Sequence, residues 1–189
     1  MSSETVTKTK SKIKTRDMAY IGLFAVLIAI CAWISIPTTI PFTLQVLGVA
    51  LAVGMLGGRR GTVAVLVYIL LGAVGVPVFA GFKGGIGALL GNTGGYIIGF
   101  ICMALVMWAM EKIPGNRTVI LFISMIAGLL VDYVFGTAWF MVAYAKNVGA
   151  VGLGAALGWC VIPYIIPDVI KLIVAMILSR NVGKYIVRD

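Results

Sequence analysis

Two opposite charges stand three residues apart inside an apolar run near the C-terminal end of this chain, Asp168 and Lys171, and a third ionisable residue, Asp132, sits in the apolar run before it. Residues spaced by three lie on one face of a helix. A carboxylate and an ammonium on such a face either neutralise each other or present charged hydrogen-bonding groups to a polar ligand. Pro163 and Pro167 precede the pair and remove backbone donors, which frees carbonyls where the helix bends. Ionisable groups in such runs are costly and mark function by default. Asp132 has Tyr133 beside it and no basic partner in its own run, which leaves three readings open: a protonated acid, a partner for Lys171, or a position nearer the cytoplasm.

Catalysis finds little to work with. Histidine is absent, which excludes Ser-His-Asp and Cys-His mechanisms and the usual zinc and haem ligand sets. The three cysteines, Cys31, Cys102 and Cys160, form no CxxC pair. Two aspartates in neighbouring spans raise the possibility of intramembrane aspartyl proteolysis, but the GxGD context of such enzymes is missing around both. The stretch from Gly81 to Gly95 holds seven glycines, yet it lacks the Gly-Lys-Ser/Thr ending of a phosphate-binding loop, and there is no Walker motif. The expectation is therefore a binding protein with no catalytic residue, no cofactor and no metal.

The elements that position these residues follow from composition. Of 189 residues, 61% are hydrophobic and 11% charged, and the mean hydropathy is +1.11. A soluble domain is about 45–50% apolar and about 25% charged. The bilayer is the solvent. Apolar windows able to cross about 30 Å of hydrocarbon run over 18–36, 62–80, 93–110, 118–144 and 155–178, with a shorter one over 42–57. These predict an all-α integral membrane protein, a bundle of six transmembrane helices. The short window must be tilted against partners or continued by a structured loop.

Charge orients the bundle. Lys8, Lys10, Lys12, Lys14, Arg16, Arg59, Arg60, Lys112, Arg117, Arg180, Lys184 and Arg188 fall on one side, whereas the other has Lys83 and Lys146. By the positive-inside rule both termini are cytoplasmic. The net charge of +9 is thus a topology signal and not a nucleic-acid footprint. The N-terminal apolar run is longer than a signal-peptide core and reads as an anchor. Residues 1–17 form a basic cytoplasmic segment and 18–189 a single six-helix membrane domain, with no repeat or linker in view.

The segments on the outward side carry the unusual composition. Pro37 and Pro41 stiffen the first into a turn or extended cap. In the glycine-rich segment, Asn92 or Thr93 stands near the N-cap of the fourth helix, whose positive end then faces a carboxylate or carbonyl from within the bundle. Gly91, Gly95 and Gly99 at four-residue spacing equally suit plain close packing.

Four stretches together resemble the S components of energy-coupling-factor (ECF) vitamin transporters, and among them the biotin-specific group, BioY. They are Pro41-Phe42-Thr43-Leu44-Gln45, the run from Tyr68 to Gly72 continuing through Gly75 to Gly81, Gly91-Asn92-Thr93-Gly94-Gly95-Tyr96, and Pro163-Tyr164 followed by Pro167-Asp168-Val169-Ile170-Lys171. Asn92 stands where that family often has Pro, and Pro167 where it commonly has Gly.

The resemblance implies a six-helix subunit of the bacterial cell membrane. It captures biotin from outside and docks on a transmembrane coupling subunit driven by two ATPase subunits. It implies an aromatic wall of Phe42, Phe79, Tyr96 and Tyr164 and a polar set of Gln45, Asn92, Asp168 and Lys171. Ala25 and Ala29 have the small-xxx-small spacing that lets helices approach closely. The resemblance gives them the docking face for the coupling subunit, and packing within the same bundle is the alternative. An S component for another vitamin and a stand-alone secondary carrier are the rival readings. Carriers often show duplicated halves, which this chain lacks.

Overall fold

The computed structural model describes residues 15–38 and 40–186. Lys8, Lys10, Lys12, Lys14 and Arg188, which carry part of the expected basic asymmetry, lie outside the described residues.

Apolar, strongly helix-forming runs give the chain its elements, and Gly and Pro punctuate them. Helix α1 spans Thr15–Trp33 and ends before Pro37. The segment around Pro37 and Pro41 folds into a two-stranded hairpin, β1 Ser35–Ile36 and β2 Phe42–Thr43, with Ser35 opposite Thr43 and Ile36 opposite Phe42. Helix α2, Gln45–Leu56, follows at once, and the Leu44 N–H donates to the Cys31 carbonyl at 3.0 Å. Although α2 corresponds to the short window, it is the bundle's most enclosed helix, with only Leu47 and Gly54 outside the buried class. At Gly48 an added Cβ would lie 3.1 Å from Ile28 Cα, so α1 and α2 approach closely there.

Helix α3, Gly58–Ala73, stops seven residues short of the window that reached Ala80. Its end is set by Gly75, at φ +105°, and by Pro77, whose carbonyl accepts from Trp33 Nε1 at 2.9 Å. Beyond it the glycine-rich segment makes a 3-10 turn at Ala80–Phe82 and a short helix α4, Ile86–Leu90, which lies between the apolar windows and is covered by neither.

Helix α5, Gly94–Met110, pairs along its length with α6, Arg117–Asn147. Glycines make the contact close, since a Cβ at Gly95 would stand 2.2 Å from Trp139 Cβ and one at Gly128 would stand 2.9 Å from Met103 Cγ. The last window is divided. Helix α7, Leu153–Cys160, gives way at Val161 to a 3-10 turn, Ile162–Tyr164, and then to α8, Ile165–Ile186, so the chain breaks at Pro163, whereas Pro167 lies inside the first turn of α8, where no backbone donor is needed.

The protein is mainly helical. Among the described residues, three stretches are long and apolar enough to cross a membrane: Thr15–Trp33, Arg117–Lys146 and Leu153–Gly183. Large side chains such as Leu23, Leu70, Val134 and Ile166 are exposed around the outside, as expected when lipid is the surrounding medium. At one end of the bundle Arg60 pairs with Asp17 at 3.2 Å, and Glu111 accepts from the Gly58 N–H at 2.7 Å, joining the start of α1, the α2–α3 turn and the end of α5.

Ala25 and Ala29 require a correction. They are 1% and 3% exposed, on the side of α1 turned into the bundle, so they pack the chain against itself and offer no docking face. Gly22, one turn earlier, has open space beside it.

Candidate functional site

Asp168 lies in the first turn of α8 and Lys171 one turn later, and both are buried. Lys171 Nζ donates to Asp168 Oδ1 at 2.7 Å and to the Thr43 carbonyl at 2.7 Å. Tyr133 of α6 donates its hydroxyl to Asp168 Oδ2 at 2.5 Å. The Lys171 ammonium also stands 4.1 Å from the centroid of the Phe42 ring, a cation–π contact. Burial of two charges is tolerated because each is met by an opposite charge and a further hydrogen bond.

The pair is not sealed. It lines a cavity of about 670 Å³, within the usual size of a small-molecule site. Tyr164, from the 3-10 turn before α8, lines the same cavity and donates to the Ile40 carbonyl, with Thr38 Oγ1 3.0 Å from its hydroxyl. Gln45 opens α2 at the cavity floor; its Nε2 donates to Tyr68 at 2.7 Å and its Oε1 accepts from Thr43 at 3.0 Å.

The facing wall comes from the glycine-rich segment and α5. Phe79, Asn92 and Tyr96 line it, and the Tyr96 and Thr137 hydroxyls are 2.9 Å apart. Both aromatic rings rest on bare backbone. A Cβ at Gly72 would fall 2.0 Å from the Phe79 ring, and one at Gly136 would fall 2.2 Å from the Tyr96 ring. Trp139 Nε1 donates to the Gly91 carbonyl at 3.1 Å and holds the link between α4 and α5 against α6. Thr93 occupies the N-cap position of α5, but its side chain makes no capping hydrogen bond.

Seven of the eight expected ligand residues therefore border one cavity: Gln45, Phe79, Asn92, Tyr96, Tyr164, Asp168 and Lys171. Phe42 does not border it. Its ring stacks on Tyr164 with centroids 6.1 Å apart and backs the Lys171 ammonium, one layer behind the wall.

Three contributors escaped the sequence reading. Thr43 acts through a main-chain carbonyl, which no side-chain pattern reveals. Tyr133 orients Asp168 from another helix, and its only signal was a polar pair, Asp132-Tyr133, in an apolar run. Lys83 lines the mouth of the cavity and is exposed.

Chemically the site is a binding site. Asp168 carries lone pairs beyond those used by Lys171 and Tyr133, so it can accept N–H groups from a ligand, while the Asn92 amide can donate and accept. The aromatic walls suit an apolar body between these polar ends.

Residues 5–188 match the BioY family. The chain belongs to the BioY family. Among its relatives, the biotin transporter BioY of Thermotoga maritima is 39% identical over 170 residues, covering 89% of this chain and 96% of the relative. A probable biotin transporter BioY of Pyrococcus horikoshii is 36% identical over 170 residues, with 89% and 97% covered. The biotin transporter BioY of Rhodobacter capsulatus is 33% identical over 183 residues, with 90% and 94% covered. This BioY family member also shares its fold with the crystal structure of the S-component for biotin from an ECF-type ABC transporter, at a TM-score of 0.80 over 93% of this chain and 95% of that one, with 24% identity.

Proposed function

We propose that this chain is the substrate-capturing membrane subunit of an ECF transporter and that its ligand is biotin, taken up from outside the cell. The observation that carries the reading is the buried Asp168–Lys171 pair bordering a cavity with aromatic walls. In this reading Asp168 receives ureido N–H groups, Asn92 adds a donor and an acceptor, and Phe79, Tyr96 and Tyr164 enclose the apolar bicycle and chain. Lys171 pairs with Asp168 and holds its carboxylate in place. Binding, not bond making, is the activity, and energy comes from a partner: a transmembrane coupling subunit with two ATPase subunits.

The same reading assigns six crossings to α1, α2, α3, α5, α6 and the α7–α8 segment, in a bacterial cell membrane with both termini cytoplasmic. The asymmetry of Lys and Arg supports that orientation, and the contacts of Arg60 with Asp17 and of the Gly58 N–H with Glu111 support one common side for the start of α1, the α2–α3 turn and the end of α5. The coupling subunit then meets an exposed apolar face of the bundle and not Ala25 or Ala29.

Mass spectrometry of the small molecule that copurifies with the detergent-solubilised protein tests the ligand, followed by calorimetry with biotin. Copurified biotin and saturable binding are the expected results. A different vitamin in that position would overturn the substrate, and uptake in cells without any coupling ATPase would overturn the partnership.

A further inference from the structure

Asp132 is 2% exposed in the middle of α6, and its side chain borders the same cavity as Asp168. Its Oδ1 is buried with no hydrogen-bond partner among the described residues. That oxygen is turned onto the bare backbone of α5, where a Cβ on Gly99 would lie only 2.2 Å away. The groups around the cavity near it are Tyr96 of α5, Tyr133 of α6, Cys160 of α7, and Asp168 and Lys171 of α8. The hydrogen bonds these groups make go elsewhere: Tyr96 to Thr137, Tyr133 to Asp168, and Lys171 to Asp168 and Thr43. Lys83 stands at the exposed mouth.

A charge count then decides the state of this group. One buried ammonium, Lys171, faces two buried carboxyls, and it is already paired at 2.7 Å with Asp168. A second ionised carboxylate with no donor on Oδ1 would carry the full cost of removing an anion from water, whereas the neutral acid avoids it. A neutral carboxyl group has one O–H to give. Nothing among the described residues receives it.

We propose that Asp132 is a ligand-binding residue that acts as a neutral carboxylic acid, donating a hydrogen bond to the ligand's carbonyl oxygen through Oδ2, the oxygen that is not turned onto α5. It rests on the biotin reading above, in which that oxygen is the ureido carbonyl. Two carboxyl groups thus read the two halves of a urea: Asp168 accepts from its N–H groups and Asp132 donates to its C=O. A site of this kind selects a cyclic urea over an isostere whose acceptor is weak.

The test is calorimetry on the purified full chain with biotin and with an analogue whose ureido C=O is replaced by C=S, a poorer acceptor. Wild type is expected to prefer biotin by about tenfold or more, the scale of one hydrogen bond in a buried site. Asp132→Asn retains an N–H donor and is expected to bind biotin within about threefold of wild type. Asp132→Leu is expected to lose about tenfold or more and to bind both ligands alike. Thermal unfolding of each variant in detergent establishes that it is folded. Should Asp132→Leu fail to fold, Asp132→Ala, which also removes the donor, is measured in its place with the same expected loss and the same outcomes that overturn the proposal.

Wild type binding both ligands equally would overturn the proposal, as would Asp132→Leu binding biotin normally or keeping the preference. Loss on Asp132→Asn as large as on Asp168→Asn would overturn it too, because it would make Asp132 an ionised acceptor. Wild type that does not bind biotin at all defeats the biotin reading itself, a separate outcome.

Discussion

The ammonium of Lys171 donates to the main-chain carbonyl of Thr43 at 2.7 Å across 128 positions of sequence. One side chain therefore joins the hairpin between α1 and α2 to the helix that carries Asp168. The hairpin supplies Thr38, Ile40 and Pro41 to the cavity, and Tyr164 fastens the Ile40 carbonyl from the same side as Lys171. The polar site is thus also the clasp that closes the first loop over α8.

Lys171→Met should disrupt both roles at once. It leaves Asp168 buried with only the Tyr133 hydroxyl as partner, and removing one member of a buried ion pair costs about 3–5 kcal/mol. Biotin affinity should fall, and amide hydrogen exchange over 35–43 should quicken in the unliganded protein. Unchanged exchange in that segment would show that the hairpin is held by other contacts.

Asp168→Asn separates charge from shape. The amide keeps the size of the carboxylate but loses a charged acceptor, so biotin binding should weaken by about 1.5 kcal/mol or more, the scale of a charge-assisted hydrogen bond. Calorimetry on the purified variant measures this. Wild-type affinity would remove Asp168 from the ligand contacts.

Much of this site was legible because charge in an apolar run is conspicuous. Asp168 and Lys171 could be paired from spacing alone, and Pro163 marked the break that divides α7 from α8, whereas Pro167 falls in the first turn of α8 and bends nothing. Direction was harder to read. An aromatic residue beside a motif carries no indication of which side its ring takes, so Phe42 was placed in the wall when it backs Lys171 one layer out. Ala25 and Ala29 failed for a related reason, since small-residue spacing is identical whether the approaching helix belongs to the same chain or another. The end of α3 was overrun because Val76, Val78, Phe79 and Ala80 prolong the apolar window past Gly75 and Pro77. The depth and surroundings of Asp132 depend on how α5 and α6 pair through Gly95, Gly99 and Gly128, which is a tertiary fact.

Burial of Ala25 and Ala29 has a direct consequence for stability. Ala25→Leu or Ala29→Leu should overpack the interior and cost about 1–3 kcal/mol, seen as a lower midpoint of thermal unfolding in detergent. Gly22→Ala, beside open space, should leave that midpoint no lower. Leucine accepted at both alanines without loss would mean that α1 sits elsewhere and that its alanines face outward.

The last expectation concerns how glycine shapes the aromatic wall. Phe79 is buried and stands edge-on to Tyr68 with centroids 5.6 Å apart, and its ring lies where a Cβ on Gly72 would be 2.0 Å away. Neither partner can yield easily, because Tyr68 is itself fixed by Gln45 Nε2 at 2.7 Å. Gly72→Ala must therefore drive the Phe79 ring toward the cavity or push α3 outward. The first outcome narrows the space for the ligand and weakens biotin binding by about 1–3 kcal/mol, the usual cost of overpacking. The second lowers thermal stability with little change in affinity. Measuring both on the same preparation, together with Phe79→Leu and Gly72→Ala/Phe79→Leu, separates them: with the smaller side chain at 79 in place, adding Gly72→Ala should cost no further affinity if the ring is what moves. A Gly72→Ala effect as large on the Phe79→Leu background as on wild type would place its strain somewhere other than this ring.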